Sequence, residues 1–320
     1  MARGFSMRAA LSGALALMLF CCTSCVYVNV GDSTTRCEKV VPLAAPLEAG
    51  SSFLADTDDG SIRLQGTQTS ECTLQATIAA HARTEERAQE LIEQIGVRLE
   101  ATDKGLQVVI DRPPVIRNAW FSVSLQGSLP TQTNLILSTS DGSIDIANIT
   151  GTVEARTSDG SIEATDIDGD TRLRTSDGSI TCARLKGQTL DSHTSDGRIH
   201  LSDVTVASVR ANSSDGSITI EGLRAGEAEV RTNDGTIRIE YTPDAPKALH
   251  VTATTSDGSI TLVTPPGLSA AIDASTNDGW IQTDLPITIR GKVGKSLSGA
   301  IGDGEGRIYL KTSDGSITIR

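Results

Sequence analysis

A short phrase, Ser-Asp-Gly-Ser-Ile, returns with small variations ten times along this chain, its aspartate at positions 59, 141, 159, 177, 196, 215, 234, 257, 278 and 314. From 141 to 234 the steps are 18, 18, 19, 19 and 19 residues. A period this constant means that each copy adds one supersecondary unit in the same orientation, so equivalent residues stack in columns along a repeat axis. Eighteen or nineteen residues suffice for two short strands and two tight turns, one coil of a flattened solenoid. The rival geometry uses each Asp-Gly as a two-residue antiparallel hairpin turn. The solenoid is preferred because identical residues at constant spacing then pair with themselves in register.

Counting from each motif aspartate, strand alternation places positions −6, −4, −2, +3 and +5 inside. Position +3 is isoleucine in every copy from Ile144 to Ile317. Position −4 runs Leu137, Ala155, Leu173, Ser192, Ala211, Val230, Ala253, Ala274 and Leu310, small or apolar throughout. Intervening residues such as Glu154, Arg156, Arg172 and Arg174 are charged and face water. The sequence thus predicts a mainly β protein: a parallel β-solenoid of 18–19-residue coils over 131–320, preceded by a small β-rich region over 38–130. That region holds one capping helix, 85–95, with Thr84 as N-cap, Gly96 at its end and Ala88, Leu91, Ile92 and Ile95 as its apolar face.

The N-terminus reads as a secretory signal over 1–24: Arg3 and Arg8, then an apolar run from Ala9 to Cys22, too short to span a bilayer permanently. It ends in Cys22-Thr23-Ser24-Cys25, and small residues before a cysteine are what a bacterial lipoprotein signal peptidase needs. Cys25 is the expected lipidation site; Cys22, or an ordinary cleaved signal peptide, are the alternatives. Residues 25–37 are expected to form a tether. Val26 lacks the aspartate that retains many lipoproteins at the inner membrane, which favours the outer membrane of a two-membrane envelope.

Loss of the signal leaves 26 basic against 40 acidic side chains, a net charge of −14. Such a surface repels nucleic acid and anionic head groups. In an oxidising envelope Cys37 and Cys72 could pair as a disulfide, whereas Cys182 falls on an inward position and reads as a small core residue.

Asp141, Asp159, Asp177, Asp196, Asp215, Asp234, Asp257, Asp278 and Asp314 form a structural turn column. Like charges about 4.8 Å apart repel by roughly 1 kcal/mol per pair even in water. Either each carboxylate accepts hydrogen bonds from its own turn's amides, an Asx-turn, or calcium bridges successive coils. The first reading needs no cofactor. A second file at −2, from Thr139 to Thr312 with Ser213 among them, reads as an inward hydroxyl ladder. Catalytic signals are weak: Asp191-Ser192-His193 is a chance neighbourhood on a strand, and the glycines at 302, 304 and 306 lack the lysine and helix of a phosphate loop. Trp280 replaces the motif serine at a turn.

The serial Thr-Ser-Asp-Gly-Ser-Ile copies, the Phe121-Ser-Val-Ser-Leu and Leu129-Pro130 approach to them, the preceding Glu-rich helix and the closing Gly302–Ile317 stretch resemble the bacterial putative-adhesin β-strand-repeat proteins of domain of unknown function 4097, over about residues 38–320. The resemblance implies an envelope-associated β-solenoid and carries over no catalytic residues. The leading functional expectation is a lipid-anchored, non-catalytic adhesion or scaffolding surface, partnered by the membrane through its lipid and by an envelope or surface protein or glycan. A calcium-organised binding module is second and a polysaccharide-acting β-helix enzyme third. The last motif lies near Arg320 with no capping segment behind it, so self-association through a C-terminal edge is also expected.

Overall fold

The computed structural model describes residues 27–30, 34–113, 118–289 and 294–320. The signal peptide and both candidate lipidation cysteines, Cys22 and Cys25, lie outside the described residues. Among the described residues the chain forms two sheets of 14 strands each, laid face to face. Each coil contributes one strand to each sheet, with the Asp-Gly turn between them: Val153–Arg156 and Ile162–Asp168 in one coil, Thr171–Arg174 and Ile180–Lys186 in the next. Neighbouring coils are parallel and pair like with like, Ile144 on Ile162, Ile162 on Ile180 and Ile180 on Ile199. The isoleucine file expected at +3 is therefore the spine of the core, with Ile144, Ile180, Ile199, Ile218 and Ile237 fully buried. Each such side chain contributes about 1.5–3 kcal/mol relative to an exposed one.

The glycine of the motif is fixed by this stacking. A Cβ on Gly197 would lie 1.8 Å from the carbonyl oxygen of Gly178, and one on Gly178 would lie 1.9 Å from that of Gly160. No side chain fits where one coil's backbone rests on the next. The reason for glycine is contact between coils, not the left-handed dihedral that an Asp-Gly hairpin turn would demand.

Alternation breaks once in each of the five coils from Asp141 to Asp215. Asn148, Asp166, Arg184, Asp203 and Gly222, all at +7, have φ between 54° and 68°. These left-handed residues form a stacked bulge, which turns the next side chain back inward, so Ile149, Ile167, Leu185, Val204 and Leu223 at +8 are buried. Arg184 holds Asp166 with two bonds of 2.7 and 2.8 Å along this column.

Three boundaries differ from the sequence reading. Ser52–Asp56 and Ile62–Thr67, carrying Asp59, form the first coil, stacked in register on the Asp141 coil, so the solenoid begins before residue 131. The β-rich segment from Glu71 to Asp111 is an insertion between the first two coils, its strands extending the sheets at that end. Its helix, Glu85–Glu93, is capped by Thr84 as expected and packs Ala88, Leu91 and Ile92 against strands Thr34–Pro46, Glu71–Ala82 and Ala119–Pro130. The expected tether is also partly built in: Tyr27–Val30 and Thr34–Pro46 form an antiparallel pair on the sheet edge. Their valines, threonines and tyrosine suit a strand.

The third difference is at the other end. The Asp314 coil does not follow the Asp278 coil in space but lies between it and the Asp257 coil. Gly302 and Gly304, with φ of 58° and 71°, carry the chain across Ser269 at the start of strand Ala270–Ser275, and Gly306 donates to the Ser269 carbonyl at 2.9 Å. Strand Ile317–Ile319 is consequently paired on both sides, and the open C-terminal edge anticipated for self-association is not formed by it. The end strands are instead Ile281–Thr283 in one sheet and Thr288–Ile289 in the other.

The Cys37–Cys72 disulfide is excluded by register. Cys37 pairs with Ala80, and Cys72 with Ala45 on the same two antiparallel strands, a separation of eight residues along the ladder or roughly 26 Å. Both side chains are buried. Cys182 is in the core as expected, and burial pushes its thiol up to about 12, well away from reactive behaviour.

Candidate functional site

The turn edge is held by hydroxyls, not by carboxylates. Thr194 Oγ1 lies 3.0 Å from the carbonyl oxygen of Ser176 and 2.9 Å from that of Gly178 in the coil beneath, and accepts from the Gly197 N–H in its own turn. The same three contacts recur at Thr157, Thr175, Ser213, Thr232 and Thr255. They run on through Thr312 and Thr276 in the interleaved spatial order.

The aspartates meet one another at a regular edge, as the turn column requires, but the role expected of their side chains is corrected. Their backbone N–H groups are taken by the preceding coil: Asp177 donates to the carbonyl of Ser158 at 2.9 Å, Asp196 to that of Ser176 at 3.0 Å and Asp215 to that of Ser195 at 2.9 Å. An Asx-turn would use the amide two residues after each aspartate, and in the Asp177 and Asp196 turns that N–H, of Ser179 and of Arg198, donates instead to the motif serine hydroxyl of the coil beneath, Ser161 at 3.2 Å and Ser179 at 3.3 Å. The Asx-turn is thus replaced by the hydroxyl bond. The carboxylates of Asp141, Asp159, Asp177, Asp196, Asp215, Asp234, Asp257, Asp278 and Asp314 belong to exposed residues along the edge. Asp278 is met there by Lys295 at 3.1 Å.

At the first coil the column crowds. Burial, with the neighbouring Asp141 and Asp58 carboxylates, raises the Asp59 carboxyl above its ordinary value, and Asp141 shares a hydrogen bond with it. Among the described residues no group of three or more His, Cys, Asp or Glu side chains converges as metal ligands would.

The two outer faces differ in character. On the face that carries the −5 and −3 positions, Arg172 and Arg174 reach Asp191 at 3.5 and 3.3 Å, and Arg210 and Arg231 reach Glu229 at 3.0 and 2.6 Å. Ser192 points the opposite way, fully buried, while Asp191 and His193 lie outside. The Asp-Ser-His run is therefore split across the sheet and cannot act as a triad.

The other outer face holds a shallow depression of about 610 Å³ lined by Ser179, Thr181, Arg198, His200, Ser217, Thr219, Thr236 and Arg238. Position +4 supplies Thr181, His200, Thr219 and Arg238 in consecutive coils, and +2 supplies Ser179, Arg198, Ser217 and Thr236 beside them. These side chains at one-coil steps offer hydroxyls and cations, with no carboxylate among them. Arg238 is bonded at 2.7 Å to Glu240 just outside the strip. Sequence reading missed this strip because it looked for singular reactive groups. Its signal was the replacement of the motif serine by Arg198.

Against this geometry, residues 168–320 match the family model Toastrack DUF4097. This stretch is similar to the Toastrack family. Among solved structures, a putative adhesin from Parabacteroides merdae has a TM-score of 0.50 at 12% identity, covering 88% of this chain and 96% of that one. A putative adhesin from Parabacteroides distasonis has a TM-score of 0.46 at 9% identity, with 88% and 97% covered. One from Bacteroides fragilis has a TM-score of 0.39 at 16% identity, also covering 88% and 97%. At these identities the first structure shows a shared fold. No curated protein matches the chain. The matched Toastrack stretch begins at the end of the Asp159 coil, so the first coils and the helix-bearing insertion lie outside it.

Proposed function

We propose that this chain is a lipid-anchored, non-catalytic rod of the bacterial envelope, held through Cys25 at the outer membrane, and that it adheres through the Arg198–His200–Arg238 strip to an acidic surface glycan. The strip carries the reading. On a chain of net charge −12, a run of hydroxyls and cations free of carboxylates is where an anionic saccharide meets least repulsion. Arginine and serine or threonine hydroxyls can bond carboxylate, sulfate or sugar oxygens, and rows repeating every coil of about 4.8 Å can follow an extended polymer. The description of fold relatives as putative adhesins agrees with it. No cofactor is needed for such a role.

The test is binding of the mature chain to carboxylated and sulfated glycans, compared with neutral ones, at low and high salt. Arg198→Ala with His200→Ala should weaken binding by about tenfold or more, roughly 1.4 kcal/mol, and salt should do the same. Undiminished binding by this variant, or preference for neutral glycans, would move the adhesive site elsewhere.

A further inference from the structure

The chain contains two tryptophans, Trp120 and Trp280, and both are exposed, at 51% and 67%. They stand at opposite ends of the rod. In one sheet the strand beginning at Ala119 and the strand beginning at Ile281 are ten strand spacings apart, about 48 Å. Trp120 lies flat on His81, with ring centroids 3.7 Å apart and planes inclined by 3°.

The register ties Trp120 to the place where the chain arrives from its N-terminus. Trp120 is paired with His81, His81 with Arg36, and Arg36 with Val28, one row across four adjacent strands. Three strand spacings make that row about 14 Å wide. Cys25 is two residues before Tyr27, so it can lie no more than about 7 Å of chain further on. An acyl group on Cys25 therefore brings the bilayer surface within roughly 20 Å of the Trp120 ring, whereas Trp280 is carried to the far end.

We propose that the Trp120 face seats on the lipid surface to which the chain is anchored, the indole lying in the interfacial layer between head groups and acyl chains. This rests on the lipid-anchor reading above. Trp is the side chain most at home in that layer, with an apolar body and one N–H for lipid carbonyls. Burial, with the Arg36 charge beside it, holds His81 below its ordinary value, which favours the uncharged ring beneath Trp120. Arg36 is itself paired with Glu38, so the row brings little net charge to the surface. One acyl-anchored point leaves a rod free to swing; a second contact at its base fixes how it stands.

The test uses the full acylated chain in phosphatidylcholine vesicles whose acyl chains carry bromine, which quenches nearby indoles. In W280F, where Trp120 alone emits, about a twofold loss of emission is expected. In W120F, where Trp280 alone emits, no loss is expected. Unquenched Trp120 in vesicle-bound protein, or equal quenching of both, would overturn the proposal. Mass spectrometry of the intact chain separates the two ideas: absence of an acyl group at Cys25 removes the lipid-anchor reading. The same variants bound to nickel-chelating vesicles by a histidine tag in place of residues 1–25 then decide whether Trp120 seats when that end is tethered. Quenching of Trp120 alone would retain the seat, and its absence would end it.

Discussion

Ile260 is paired in register with Ile317, fifty-seven residues later, and not with Ile281, the motif isoleucine that follows it in the chain. Ile317 separates the two. The coil made last from the chain is thus interior to the rod, and strand Gly306–Lys311 is likewise held between His250–Thr254 and Ala270–Ser275.

It follows that Ile317→Ala should destabilise the protein as much as Ile199→Ala in a middle coil, each by about 2–5 kcal/mol. Urea unfolding of the two variants checks this. A much smaller effect at 317 would mean that the last coil frays as an ordinary chain end does.

Gly197→Ala should cost about 1–3 kcal/mol or more, because its methyl must displace the backbone carbonyl of Gly178. Gly226→Ala, where the nearest neighbouring atom is 3.8 Å away, is the matched control and should be mild. Equal melting temperatures for the two variants would contradict the stacking described above.

Thr194→Val removes the hydroxyl that serves the carbonyls of Ser176 and Gly178 and the N–H of Gly197, and should cost about 1–3 kcal/mol. Thr194→Ser should be close to neutral, since Ser213 makes the equivalent three contacts in the next coil. Denaturant midpoints of the pair separate loss of the hydroxyl from loss of the methyl.

Asp59→Asn should raise the melting temperature at pH 7. The folded state raises the Asp59 carboxyl above its unfolded value, so ionising it opposes folding, and that penalty is present above the folded value. As the pH falls through the folded value and then below 3.8 the wild-type group is protonated in both states, and the advantage of Asn should vanish. Melts at pH 7 and at pH 3 give the sign directly.

The exposed aspartate edge should be indifferent to calcium. Carboxylates such as those of Asp177, Asp196 and Asp215 project into solvent, where water and salt screen them, so melting midpoints with calcium and with chelator should coincide. A midpoint that rises with calcium concentration would instead assign the column a bound ion.

Much of this architecture is legible in the sequence because a repeat multiplies every local signal. The isoleucine file, the inward threonines and the capped helix all follow from alternation and capping, and each is present. The sequence did not yield what depends on a single event. Where the Asp314 coil inserts is set by long-range pairing, and nothing in Thr312-Ser-Asp-Gly-Ser-Ile317 distinguishes it from copies that stack in order. The bulge at +7 was readable: Asn148, Asp166, Asp203 and Gly222 are residues that tolerate φ above zero, and the apolar residues one place later are out of phase with Ile144 and Ile146. The turn aspartate misled because its side chain can cap a turn on its own. Here the serine hydroxyl of the preceding coil already occupies the amide it would use, as Ser161 does for Ser179 and Ser179 for Arg198. Of the candidate face, Arg198 and His200 were visible as residues, but that they meet Arg238 on one surface needs the coil count between them.

The interleaving of the last coil also limits how such a rod can lengthen. A repeat duplicated among the middle coils, from Asp159 to Asp234, would slide into the stack and leave every neighbour's contacts intact. One joined after Ile319 would find both flanks already taken, by Leu262 and Thr283. Growth by gene duplication, or by engineering, is therefore open within the shaft and closed at the tail.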